Sequence, residues 1–135
     1  GGGESTAKFL KSVVAHEVGH QWWGSRVAHA NQRNYWFVES LAEYFSGLYL
    51  EAVYGKKEYL EQVDEWRRNI LDANLKSSVQ NASVIWSGEG NNYQAAVYNK
   101  GPFAFHMLRA GQIDCAVTGG AEACITFVRG ISSRP

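Results

Sequence analysis

Apolar residues recur at helical spacing in several stretches of this chain, and polar or glycine-bearing breaks separate them. The first stretch has Ser5 or Thr6 as a candidate N-cap and runs to about Trp23 or Gly24. Its segments Ser12-Val13-Val14-Ala15 and Gln21-Trp22-Trp23-Gly24 are mostly apolar, which predicts a helix in a core position. Residues 25–34 are polar and predict a loop. From about Tyr35 to Tyr54 the chain is apolar nearly all round, the mark of a buried helix, with Gly55 as the C′ glycine that ends it. A third helix, about Lys57 to Leu75, carries Leu60, Val63, Trp66 and Ile70 on one side, with Asp64 and Arg68 as an i,i+4 pair. Residues 76–92 are rich in Ser, Asn and Gly around Val84-Ile85-Trp86 and predict a loop long enough to wall a cleft. A last helix carries Phe103 to Arg109, with Pro102 tolerated in its first turn. There is no repeat and little strand signal, so the expected class is mainly α with little or no sheet. Any sheet would come from the N-terminal, 79–86 or C-terminal segments.

Composition narrows this only in places. A chain of 135 residues is one domain by the usual prior, and 45% hydrophobic residues can fill a core. Thirteen basic and thirteen acidic residues give no net charge, which argues against nucleic acid or an anionic membrane as partner. No apolar run approaches the roughly 18–20 residues of a spanning helix. No signal peptide stands ahead of Gly1, and Gly1-Gly2-Gly3 reads as a linker or a processed end, so localisation stays open. Cys115 and Cys124 lie nine apart, either as one disulfide or as free thiols, and form no metal motif with the histidines.

The candidate chemistry lies on the first helix. His16-Glu17-Val18-Gly19-His20 is followed by Glu39, with 18 residues between His20 and Glu39. Helix positions i and i+4 differ by about 40° of rotation, so His16 and His20 project from one face a turn apart. Two such imidazoles hold one zinc at about 2.0–2.1 Å; Glu39 adds a carboxylate ligand, and the fourth position stays open as in catalytic zinc sites. Glu17, about a quarter turn away, reaches a water without ligating the metal. Shuffling this composition gives the five-residue pattern in roughly one case in a hundred, and below about one in a thousand with Glu39 at a preset position. The plain alternative is an amphipathic helix with two ordinary histidines, but burying both is costly unless each has a partner. Glu43, one turn beyond Glu39, either accepts a hydrogen bond from the outer nitrogen of a ligand histidine or is a solvated glutamate. Asn34 is a weaker candidate for the same part. His29 and His106 read as surface or packing residues, and Asn81-Ala82-Ser83 as a glycosylation triplet of a kind common by chance.

These residues resemble the gluzincin metallopeptidases of the aminopeptidase N type, which pair HExxH with a glutamate after 18 residues and often continue as His20-Gln21-Trp22 does here. The segment from Trp36 to Phe45 looks like that family's third-ligand helix, and Tyr98-Asn99-Lys100-Gly101 is similar to its Tyr-x-Lys-Gly segment. The resemblance covers roughly residues 8–110. It implies a small zincin-like helical catalytic domain over 1–110, with 111–135 an unassigned tail. It also implies one Zn2+ per chain on His16, His20 and Glu39, Glu17 as general base, and Tyr98 as a hydrogen-bond donor to the oxyanion. Tyr93 either faces the same cleft or is a loop tyrosine. Thermolysin-like relatives carry an acid at the offset of Glu43. Two departures fall outside the ligands: Asn34 stands where the family usually has Asp, and Val38 where it has Asn. The Gly-x-Met-Glu-Asn strand that holds the substrate amine normally precedes the metal helix and is not among residues 1–15.

The expected function is a zinc-dependent peptidase acting through metal-activated water on a peptide or protein substrate, aminopeptidase-like by resemblance. An endopeptidase with an open groove and a zinc-binding, non-catalytic fragment are the alternatives. Nucleic acid and membrane are not expected partners. Self-association stays open, with a dimer favoured if a missing cleft wall bares apolar surface.

Overall fold

The computed structural model describes residues 2–30, 34–76, 91–111, 116–117 and 126–127. Over these the chain is mainly α. Helix α1 spans Gly2–Trp22, α2 Tyr35–Tyr54, α3 Lys56–Lys76, α4 Asn91–Ala95 and α5 Gly101–Arg109, with a π-helical turn at Ala96–Lys100 joining the last two. Strands β1 (Ala116–Val117) and β2 (Thr126–Phe127) pair antiparallel, Ala116 opposite Phe127. The Val84-Ile85-Trp86 island, the Asn81-Ala82-Ser83 triplet, Cys115, Cys124 and most of the tail lie outside the described residues.

Helix α2 is the centre of the packing, against α1 on one side and α3, α5 and the π turn on the others. Its buried stripe is largely small: Ser40, Ala42, Ser46 and Gly47, with Trp36, Val38, Glu39 and Leu50. Small side chains let neighbouring backbones come close. A Cβ on Gly19 of α1 would stand 3.2 Å from Phe45 Cδ1 and 3.4 Å from the Ala42 Cα, and one on Gly47 would stand 2.8 Å from the Trp66 ring. Aromatic side chains close the flanks in two clusters, Trp36 and Val97 with Phe37, Tyr93 and Tyr98, and Tyr59, Val63 and Trp66 with Tyr44, Leu48 and Phe103. Helix α2 thus has the predicted bounds, and Gly55, at φ 97°, donates its N–H to Glu51 O at 2.9 Å. The Asp64–Arg68 pair forms at 3.0 Å, and Arg67 joins it at 2.9 Å.

Three expectations are corrected. Helix α1 begins at Gly2, and Thr6 Oγ1 donates back to Gly2 O at 2.9 Å from inside the helix instead of capping it. Nor is α1 a core helix: Ala15, His16 and Gly19 are its buried residues, while Phe9, Leu10, Val13, Val14, Val18 and Trp22 are exposed. Apolar content fixed neither its depth nor its orientation, because the contact with α2 is made by its smallest residues and a histidine. Of the predicted 76–92 loop, residues 77–90 lie outside the described residues and Asn91 already begins α4, whereas the last helix carries Phe103 to Arg109 as predicted, with Pro102 in its first turn.

A π turn leads into the proline-bearing start of α5. Pro102 has no N–H, so the Tyr98 carbonyl finds no donor at α spacing and the Val97 carbonyl none at π spacing. Gly101 N–H reaches back to Ala96 O, widening the turn. The stranded Val97 carbonyl is satisfied from α2, where Ser40 Oγ donates to it at 2.6 Å. A Cβ on Gly101 would run into that Ser40 side chain. Gly101→Ala should therefore destabilise the protein by about 1–3 kcal/mol, as overpacking in a filled core does, seen as a lower midpoint in urea unfolding.

Candidate metal centre

The α1–α2 contact brings His16, His20 and Glu39 together. His16 and Glu39 are buried and His20 half-buried. His20 Nε2 lies 3.1 Å from His16 Nε2, and Glu39 Oε2 lies 3.3 Å from each of them. Two donors on one tetrahedral zinc, each at about 2.0–2.1 Å, sit about 3.3–3.4 Å apart, so the triangle matches that ion.

The outer nitrogens fix the tautomers. His20 Nδ1 lies 3.0 Å from the Trp23 carbonyl, which only accepts, so Nδ1 carries the proton and Nε2 offers a lone pair. His16 Nδ1 lies 2.9 Å from Glu43 Oε2, a carboxylate that likewise accepts. Two imidazole lone pairs and a carboxylate oxygen thus converge on one point. Groups in that arrangement repel one another unless a cation or a proton lies between them.

The ionisation of the metal-free site follows. Burial alone would lower the His16 pKa, but its hydrogen bonds to Glu39 and Glu43 outweigh this and raise it to about 9, so a proton takes the cation's place. Burial works to raise Glu39; hydrogen bonds from His16, Tyr35 and Tyr98 prevail and hold it at about 2. Glu39 therefore remains anionic, able to ligate a cation. The Tyr35 hydroxyl is pushed up to about 12, chiefly by its bond to Glu39, and burial pushes Tyr98 up as well, so both stay protonated and donate.

Around the triangle lies an open cleft of about 490 Å³, lined by His16, Glu17, His20, His29, Tyr35, Glu39 and Tyr98 among others. Glu17 is exposed at its rim and is not part of the triangle. Tyr98 projects from the π turn, stacks on His16 with ring centroids 6.0 Å apart, and donates to Glu39 Oε2 at 3.0 Å. Tyr93 packs edge-on against Tyr98 at 6.2 Å. Glu43 has a second bond, from Trp66 Nε1 at 3.3 Å, so a buried α3 side chain braces the carboxylate that orients His16. Of the two open readings of Glu43, the histidine-orienting one describes its position.

Sequence reasoning missed three residues here. Tyr35 donates to Glu39 Oε1 at 2.9 Å; its i,i+4 spacing to Glu39 was the available signal. His29, expected at the surface or in packing, lines the cleft with its ring edge-on to Tyr35, and its buried Nδ1 has no hydrogen-bond partner among the described residues. No local signal marked Trp66 as a partner of Glu43. His106 packs as expected, with its Nδ1 in a 2.9 Å hydrogen bond with Tyr59 Oη.

Comparison with known proteins agrees with this geometry. Residues 3–115 match the Peptidase family M1 domain. The chain belongs to peptidase family M1, a family of zinc peptidases. It is similar to endoplasmic reticulum aminopeptidase 2 of Bos taurus, 27% identical over 108 residues, covering 75% of this chain and 11% of that protein. It is also similar to aminopeptidase Q of Mus musculus, 50% identical over 36 residues, covering 27% of this chain and 6% of that protein. The chain thus spans about a tenth or less of the length of these curated relatives. No solved structure matches it. Among the described residues no helix is long and apolar enough to cross a membrane.

Replacing Glu43 by Ala would free the outer nitrogen of His16 and leave the Trp66 N–H without its acceptor. Loss of such a partner costs about 10–100-fold in metal affinity, and competition with a chromophoric zinc chelator should register a weakening of that size.

Proposed function

We propose that this chain carries the catalytic centre of a zinc aminopeptidase, with His16, His20 and Glu39 holding one Zn2+ and Glu17 and Tyr98 acting on the substrate. The observation that carries the reading is the convergence of His16 Nε2, His20 Nε2 and Glu39 Oε2 beneath a cleft that Glu17 and Tyr98 also line. Bound there, zinc supplies Lewis acidity, lowering the pKa of water from 15.7 to about 7 and polarising a carbonyl oxygen.

The chain's own residues do the rest. Glu17, next to a ligand histidine but outside the triangle, takes the proton of the attacking water and delivers it to the leaving amine nitrogen. The Tyr98 hydroxyl, kept protonated by burial and by Glu39, donates to the carbonyl oxygen as negative charge develops there. The rings of His16 and His20 are held with Nε2 toward the triangle by Glu43 and the Trp23 carbonyl, so neither would need to rotate to hold an ion. The names of the two relatives favour cleavage at the amino end of a peptide over cleavage within it.

Zinc content and hydrolysis of an amino-acid anilide, measured before and after chelation and after zinc restoration, test the reading. About one zinc per chain, with activity lost and regained in step, is the expected result. Cleavage only of an internally quenched peptide would favour an open-groove endopeptidase, and bound zinc without turnover a non-catalytic fragment. Glu17→Gln should retain zinc while kcat falls by about 10²–10⁴. Tyr98→Phe should lower kcat by about 10²–10³, with zinc content unchanged.

A further inference from the structure

Glu39 has two carboxylate oxygens, and the donor triangle uses one of them. Oε2 is the atom 3.3 Å from both imidazole nitrogens; Oε1 accepts the Tyr35 hydroxyl at 2.9 Å. The terminal torsion of a glutamate is broad and nearly two-fold, so a carboxylate without outside contacts can turn and present both oxygens to a cation. A hydrogen bond on Oε1 removes that freedom.

We propose that Tyr35 is a positioning residue that commits Glu39 to one-oxygen ligation, reserving Oε1 and leaving the rest of the ion's coordination sphere to water and substrate. The proposal rests on the metal reading above and goes beyond it. The two tyrosines on Glu39 are not equivalent. Tyr98 donates to Oε2, the oxygen 3.3 Å from both imidazoles, whereas Tyr35 donates to Oε1, the other oxygen. Tyr35 can therefore keep its bond when Oε2 takes a metal. A packing role does not account for the hydroxyl: Tyr35 is 40% exposed, and its ring meets His29 edge-on at 5.3 Å, a contact that needs only the ring. Tyr35 and Glu39 sit one turn apart on α2, so the helix itself sets their spacing.

Tyr35→Phe keeps the ring and removes the donor. Zinc affinity by chelator competition should fall by about 10–100-fold with the melting temperature of the metal-free protein unchanged. The Co2+-loaded variant should also lose visible absorption intensity relative to Co2+-loaded wild type, as a second carboxylate oxygen raises the coordination number. Wild-type zinc affinity and an unchanged cobalt spectrum in the variant would overturn the proposal while leaving the metal reading intact. A drop in melting temperature in parallel with affinity would also overturn it, since the hydroxyl would then be structural. Failure of the wild-type chain to take zinc or cobalt at all would overturn both readings, and that result is visible before the variant is made.

Discussion

The close approach of α1 and α2 is the contact on which the rest of this structure depends. Gly19 lies against Ala42 and the Phe45 side chain, with no room for a larger residue unless they shift. His16 and His20 flank that glycine on the same helix, and Glu39 faces them from the other. Because the backbones are close, two imidazoles and a carboxylate meet within hydrogen-bond distance. Had the α1 contact face been built of leucines, the helices would stand further apart and the three donors would not share one ion.

Support for this contact comes from behind α2. Trp66 on α3, 1% exposed, fixes Glu43, and Glu43 fixes His16. Ser40 on α2 donates to the Val97 carbonyl that Gly101 N–H passes over for Ala96 O, which seats the π turn that carries Tyr98 to Glu39. The α2 residues from Tyr35 to Glu43 therefore serve two purposes in alternation. Glu39 points toward the donor triangle, while Ser40 and Ala42 let neighbouring elements pack close. Tyr35 and Tyr98 hold the two oxygens of Glu39 from different elements, and this division gives one carboxylate two distinct environments.

Much of the site was legible because it is local. The spacing of His16 and His20 needs only helical geometry, and Gly55 and the Asp64–Arg68 pair follow from rules that act within one turn. The bounds of α2 were equally clear, since a long apolar run between polar breaks has few other solutions. Helix α1 was misjudged because apolar content does not say which face is buried; glycine, alanine and histidine made the contact, and valines and phenylalanine stayed outside. The π turn was not legible because the Val97 carbonyl that Gly101 N–H passes over is satisfied by Ser40, 57 residues away on another helix.

The sequence by itself determined the spacing of the two histidines and the helices that carry them, because each follows from periodicity along a single helix, and it marked Glu39 as the candidate third donor only by its distance along the chain. Tertiary structure decided which oxygen of Glu39 faces the two imidazoles, that Glu43 and Trp66 stand behind His16, and that Tyr35 and His29 line the cleft. Those are contacts between residues on different elements or between side chains whose rotation only their neighbours fix. Hydrogen-bond direction and helix separation are properties of assembled surfaces, and no pattern along one strand of chain encodes them.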